Sequence, residues 1–346
     1  MSIQALPQSA VRQIGSTQVL TDPSSVVKEL IDNSLDGHAT NISVEISTNT
    51  IDLIQVRDNG HGIMREDRAM ICRRYCTSKI REFEDLKDLG GKWLGFRGEA
   101  MASLAETSGG VSITTRVEGE DVAELLKVGR NGEIEAQEKA SHPVGTTVRA
   151  IDFFSAFPVR KQAALKHSPK VLAKIKHLMK SYALARPAVR LSLRVLKAKN
   201  DKSNWVYAPK PGAGLEDAVL KVVGKDCALQ CEWSVVESDG FGMRAFLPKA
   251  DAKVTHISGL GQFISIDARP VSSTRGALKQ ISSVFKAKVR KASPQLQDIK
   301  DPFLCLSIVC PPGSYDPNIE PGKDDVLFDD SQAVLDFFEE LLDSFY

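Results

Sequence analysis

The 346-residue sequence has no Gly-x-x-x-x-Gly-Lys-[Ser/Thr] run, which excludes a P-loop as a source of phosphate binding. It also lacks an apolar span of transmembrane length, a secretory h-region and a transit-peptide pattern, so a soluble, intracellular protein without membrane contacts is expected. Charge of either sign is not in excess. With 45 Lys and Arg against 44 Asp and Glu, any nucleic-acid contact has to come from local patches. The six cysteines, at 72, 76, 227, 231, 305 and 310, include two pairs with three intervening residues, but no histidine pair accompanies them. That spacing suits neither a zinc site nor a disulfide framework, and it points to reduced, mostly structural thiols. Internal repeats and low-complexity tracts are missing too.

What the chain does have is three polar or glycine-rich signals close together. In the first, Val26, Val27, Leu30, Ile31 and Leu35 recur at helical spacing after Thr21, Asp22 and Pro23, which predicts a helix capped by Thr21 or Asp22. Glu29 and Asn33 then share one face, with Asp36 three residues further on. A carboxylate and a carboxamide so placed could divide ATP hydrolysis, Glu29 taking a proton from water and Asn33 holding a hard cation such as Mg²⁺. The plainer explanation is the wet side of an amphipathic helix. The second signal is a predicted strand, Thr50 to Arg57, running into Asp58-Asn59-Gly60-His61-Gly62. A carboxylate there can accept from an adenine amino group while glycine backbone approaches the base, though Asp-Asn-Gly also suits a simple tight turn. The third is Gly95-Phe96-Arg97-Gly98-Glu99-Ala100, at the start of an Ala-rich helix expected over Glu99 to Ala105. Free backbone N–H groups at a helix start suit phosphate oxygens, and Lys79 could add a point charge; a plain loop-to-helix junction would look the same.

Together with Thr77-Ser78-Lys79 and Gly145-Thr146-Thr147-Val148, these motifs resemble those of the GHKL ATPases, the superfamily of type II topoisomerase ATPase subunits, large heat-shock chaperones, histidine kinases and MutL. The wording Lys28-Glu29-Leu30-Ile31-Asp32-Asn33-Ser34-Leu35-Asp36 with Gly-Phe-Arg-Gly-Glu-Ala is similar to MutL proteins of mismatch repair, and Ile14 to Val19 resembles their eukaryotic PMS branch. The likeness continues through Phe157 to Gln162 and Asp316 to Lys323, essentially the whole chain. It implies an α+β chain in which a GHKL (Bergerat) α/β sandwich is followed by a smaller ribosomal S5-like α/β domain. It implies Glu29 as general base, Asn33 as magnesium ligand, and Asp58 reading adenine with Gly62 and Thr146. Thr77, Ser78, Lys79 and Gly95, Phe96, Arg97, Gly98 and Glu99 would hold phosphates within a lid of about 72–98, and Lys323 from the second domain would reach the terminal phosphate. ATP and Mg²⁺ are the implied cofactors. The implied setting is the nucleus, as a heterodimer with a MutL homologue, on double-stranded DNA without sequence preference and alongside MutS-type complexes. One departure stands out: Asp36-Gly37-His38-Ala39 replaces the usual Asp-Ala-Gly-Ala, moving the capping glycine by one residue.

A composition break near Lys199 to Gly214 divides the chain into domains over 1–210 and 211–346. Helices are expected over Val171 to Leu184, Leu215 to Val223, Gly276 to Val289 and Ala333 to Leu342, and strands over Val189 to Leu196, Gln262 to Asp267 and Leu304 to Cys310. Nothing resembles the C-terminal dimerisation domain of intact MutL proteins, so a fragment is expected. Two basic clusters, Arg160 with Lys161 and Lys286, Lys288, Arg290 with Lys291, are candidate DNA-phosphate contacts, although solvated helix faces would read alike. No aromatic ladder interleaves them.

Overall fold

A computed structural model describes residues 3–82, 85, 89–238 and 240–346. The chain forms two compact units: residues 1–81, 93–179 and 189–208, and residues 82–92, 180–188 and 209–346.

The first unit is built on an eight-stranded sheet. Its strands are β1 (Asn41–Ser47), β2 (Leu53–Asp58), β3 (Ser108–Arg116), β4 (Ala123–Val128), β5 (Ile134–Ala140), β6 (Gly145–Phe153), β7 (Arg190–Leu196) and β8 (Trp205–Tyr207). They lie in the order β5-β4-β3-β6-β2-β1-β7-β8, antiparallel except for β1 against β7. Alternation decides which side is covered. Ile42, Val44 and Ile46 of β1 and Ile54 and Val56 of β2 are buried, while the intervening Asn, Ser, Glu and Arg are not. The helices are α1 (Gln8–Val19), α2 (Pro23–Asp36), α3 (Ala100–Thr107), α4 (Pro158–Lys166) and α5 (Ser168–Ala185). Strand β2 starts at Leu53 rather than at Thr50, because the Asn49 side-chain oxygen accepts from Ile51 and Asp52 N–H and draws 49–52 into a turn with Thr50 at φ 64°.

Helix α2 packs against β1, β2 and β6 and is the element on which the site rests. Pro23 opens it, and the Asp22 carboxylate accepts from the N–H groups of Ser24 (2.7 Å) and Ser25 (3.0 Å), while the Ser25 hydroxyl answers the Asp22 N–H. Eleven of its fourteen residues are buried, so it has no broad wet side. At its far end the left-handed position falls on His38 (φ 59°), one past Gly37 (φ −78°). The displaced glycine thus leaves the turn to a residue for which that conformation is unfavourable.

The second unit has a five-stranded sheet of β9 (Cys231–Ser238), β10 (Phe241–Pro248), β11 (Gln262–Ile266), β12 (Arg269–Val271) and β13 (Leu304–Val309), ordered β12-β11-β13-β10-β9 with β11 and β13 parallel. The remaining pair is β14 (Tyr315–Asp316) and β15 (Leu327–Phe328). Its helices are α6 (Leu215–Val223), α7 (Lys225–Ala228), α8 (Val254–Ile257), α9 (Gly276–Ala292) and α10 (Ser331–Phe345). Phe285, Phe303 and Phe338 are fully buried in this unit. No helix among the described residues is long and apolar enough to cross a membrane.

Burial alone would push the Asp22 carboxyl up, but the Ser24 hydroxyl, the Lys174 ammonium and the Ser25 N–H together hold it below its ordinary value. A depressed folded value contributes stability above the unfolded pKa and loses it as pH falls through the folded one. Replacing Asp22 by Ala should lower unfolding free energy by about 1 kcal/mol near pH 7. The difference between variant and wild type should shrink below about pH 4, where the unfolded carboxyl protonates, and denaturant titration at several pH values measures it.

Candidate functional site

Three polypeptide segments meet at the C-terminal turn of α2. Ser34 Oγ donates to Asp58 Oδ2 at 2.9 Å, joining the helix to the end of β2. The other oxygen of Asp58 accepts from Gly60 N–H (2.9 Å) and from Thr146 N–H (3.1 Å) at the start of β6. Desolvation nevertheless dominates and holds the Asp58 carboxyl above its ordinary value, against the pull of the Gly60, Ser34 and Thr146 donors. A carboxylate in that condition gains from one more donor, such as an exocyclic amine. Gly62 (φ 78°) follows, and a Cβ there would collide with the Arg116 carbonyl. This backbone packing and the positive φ both call for glycine at 62.

Asp36 faces the other way. Its carboxylate accepts from Leu94 N–H (2.8 Å) and Gly95 N–H (2.9 Å) and pairs with the Lys79 ammonium, which also lies 3.2 Å from Asn33 Oδ1. Asn33, Lys79 and Gly95, far apart in the chain, are therefore brought together around Asp36. Glu29, one turn earlier on α2, is 5% exposed, so it does not belong to a solvated face. Thr77 Oγ1 accepts from Lys79 N–H at 3.2 Å, shaping the turn before the lysine, whereas Ser78 is exposed. Phe96 is buried beneath the Arg97 guanidinium at 5.9 Å. Gly98 (φ 65°) leaves no room for a Cβ beside the Cys76 backbone, and Glu99 occupies the cap position of α3 without a side-chain cap bond. Among the described residues of the 72–98 segment there is no α-helix or strand; 83, 84 and 86–88 lie outside the described residues.

Two charged clusters join segments far apart in the sequence. Arg68, 3% exposed, donates to Glu120 at 2.7 and 2.8 Å, to Glu124 at 2.7 Å and to the Ile63 carbonyl at 3.0 Å, pinning the segment after Gly62 to the β3–β4 hairpin. The Arg68 hydrogen bond lowers the Glu120 carboxyl, and at Glu124 the desolvation that would raise it is overcome by the Arg68 and Gln137 hydrogen bonds and the charges of Arg68 and Arg65 together. Arg74 donates to the Arg12 carbonyl (3.1 Å), to Ser16 Oγ and to Glu106 (2.9 Å), tying the start of the same segment to α1 and α3. Each partner carboxylate lies more than thirty residues away, so no local spacing could have revealed them.

In the second unit Lys323 is buried in the loop between β14 and β15, at φ 52°. Nearby Glu320, paired with Arg275, has its carboxyl raised to about 7 by its hydrogen bond with Asp324 and by burial. Most of the candidate DNA contacts are engaged within the molecule. Arg160 donates to the Thr17 carbonyl (2.9 Å), Lys161 pairs with Asp152, Lys286 with Asp301 (3.2 Å) and Lys288 with Asp343, and Arg290 donates to the Ile299 carbonyl (3.2 Å). Lys291 is exposed.

A model described as histidine kinase-, DNA gyrase B- and HSP90-like ATPase matches residues 21–151, the region that holds the α2 and Asp58 geometry. That region is an ATPase domain of this class. A second model, described as the DNA mismatch repair protein, C-terminal domain, matches residues 219–346. The chain is 33% identical over 351 residues to human "PMS1 protein homolog 1", covering 99% of this chain and 36% of that protein. It is 31% identical over 339 residues to "DNA mismatch repair protein MutL" of Xylella fastidiosa strain M12, covering 97% of this chain and 51% of that one. In fold it is similar to the Aquifex aeolicus MutL ATPase domain complexed with ADP, with TM-score 0.59, 24% identity and coverage of 92% and 97%. The chain belongs to the MutL family of DNA mismatch repair proteins. It spans about a third of the human relative and half of the bacterial one.

Removing the Arg68 guanidinium leaves two carboxylates facing each other without their cation. Arg68→Met should cost about 2 kcal/mol, less than a fully buried pair because Glu120 and Glu124 keep some solvent. Thermal unfolding measures the loss, which Arg68→Lys should recover only in part, since an ammonium cannot reproduce the forked contacts.

Proposed function

We propose that this chain binds ATP with Mg²⁺ and hydrolyses it slowly, and that in the whole protein the nucleotide state drives association of two such N-terminal regions on DNA. The observation that carries the reading is that one buried helix end supports both halves of a nucleotide site. Through Ser34 it holds the carboxylate suited to adenine, and through Asn33 and Asp36 it gathers the lysine and loop amide suited to phosphates. The donor set fits the cofactors. Asn33 Oδ1 already accepts a cation in the form of the Lys79 ammonium, and a hard oxygen in that position suits magnesium. When bound, magnesium would neutralise phosphate charge.

Within this reading Glu29 removes a proton from the attacking water, and its burial raises the strength of its interactions there. Asp58, with Thr146 and Gly62 beside it, selects adenine. Lys79 and the backbone from Gly95 through Glu99, with Thr77, Ser78, Phe96 and Arg97 shaping the loop, meet the phosphates. Lys323 is assigned to the terminal phosphate on the strength of family resemblance. Such an arrangement makes turnover a timer for a conformational state. The partner is a MutL homologue in a heterodimer, acting in the nucleus with MutS-type complexes. DNA is met non-specifically, with exposed Lys291 as the salt-sensitive contact.

Steady-state ATPase assays on the purified chain, beside calorimetric titration with a non-hydrolysable ATP analogue, test the assignment. Glu29→Ala should reduce turnover by at least about a hundredfold while leaving analogue affinity within about threefold. Asp58→Asn should instead weaken affinity by about tenfold or more, because the amide cannot replace a charged acceptor. Full turnover in the Glu29 variant would overturn its role as base, and tight binding without turnover in the wild type would leave a nucleotide-gated scaffold.

A further inference from the structure

The Asp36 carboxylate stands among donors that suit an anion. It is 8% exposed and takes the N–H of Leu94 at 2.8 Å, the N–H of Gly95 at 2.9 Å and the ammonium of Lys79. Two of these, the Gly95 amide and Lys79, are donors that the proposed function assigns to phosphate. Lys79 completes the pattern from the cation side, since it also lies 3.2 Å from Asn33 Oδ1, the oxygen proposed for the metal. The site thus holds an internal salt: a carboxylate at the donors proposed for phosphate and an ammonium at the oxygen proposed for the metal. Space reinforces the arrangement. A Cβ at Gly95 would fall 2.9 Å from Lys79 Nζ, 3.2 Å from Asn33 Oδ1 and 3.5 Å from Asp36 Oδ2, so the loop glycine is what lets the chain pass this close to the pair.

We propose that Asp36 sets nucleotide affinity as a built-in competitor, an internal anion that the nucleotide phosphates must displace from Lys79 and the Gly95 amide. The inference rests on the reading above that these groups meet phosphate. Its logic is electrostatic. A buried carboxylate that has lost its ammonium keeps at most neutral N–H donors, and that penalty is subtracted from the gain of binding phosphate. Asp36 acts through Lys79 and Gly95, which makes it a positioning residue and leaves the chemistry to others.

The sign of one substitution separates this from a merely structural role. Asp36→Asn keeps the shape and one acceptor oxygen but removes the charge. Its affinity for ADP and for a non-hydrolysable ATP analogue, both titrated with Mg²⁺, should rise by about three- to tenfold, the net scale of one hydrogen bond. Affinity for adenosine, which has no phosphate, should stay within about twofold. Asp36→Ser, a second neutral variant, carries the same expected sign should the asparagine variant not fold. Weaker or unchanged ADP binding by the folded neutral variants would overturn the proposal, as would an equal gain for adenosine. Lys79→Met is the control for the underlying reading. If it fails to weaken ADP binding, the phosphate assignment itself falls; if it weakens ADP binding while the Asp36 variants do not strengthen it, only the competitor role falls.

Discussion

The geometry depends on burying the polar end of a helix. α2 inserts eleven of its fourteen residues into the interior of its unit, so Glu29, Asp32, Ser34 and Asp36 leave water together and each must be compensated. The compensation is the site. Ser34 donates its hydroxyl proton to Asp58, while Asp36 collects two loop amides and a lysine. A less deeply buried helix could carry the same residues, but nothing would then compel distant segments to converge on them. The Asp22 cap and Pro23 fix where the helix starts, and hence the angular position at which each later side chain faces inward.

Much of this was legible. The 3.6-residue recurrence of Val26, Val27, Leu30, Ile31 and Leu35 located α2, the apolar alternation before Asp58 located β2, and the wording around Glu29 and Gly95 located the family. The mixed α+β class followed from the same resemblance. Harder to read were features set by tertiary contact. Asp36 stands three residues from Asn33, yet its partners are 43 and 59 positions away, and no periodicity carries that information. The Arg68 knot has separations of 52 and 56. Strand β5, none of whose residues is buried, offers no hydrophobic alternation to detect. The start of β2 falls later than the apolar pattern suggests, because the Asn49 side chain captures backbone N–H groups that such a pattern assigns to a sheet.

Two conformational details shape the loops beside α2. The left-handed residue after the helix is a histidine, and the ring of His38 meets that of His61 edge-on at 6.1 Å, so the side chain that carries the awkward dihedral also packs on the Asp58 turn. Gly37 meanwhile provides the carbonyl that accepts His61 N–H at 3.0 Å. The reordered glycine and histidine therefore do not loosen the junction between the helix and the turn; they are bonded into it.

The parallel pairing of β1 with β7 bears on how the chain is made. Asn41 lies beside Arg190, and the ladder continues to Ser47 beside Leu196, so one side of β1 finds its partner only after roughly 150 further residues. Emerging from a ribosome at about 5–20 residues per second, β1 would wait on the order of ten seconds with that edge open. During that interval the antiparallel neighbours β2, β3 and β6 can assemble first, since each joins the sheet before β7 is synthesised. The polar residues Asn41, Ser43, Glu45 and Ser47, which alternate along β1, keep the waiting strand from reading as a continuous apolar ribbon and so guard the nascent chain against pairing with its neighbours.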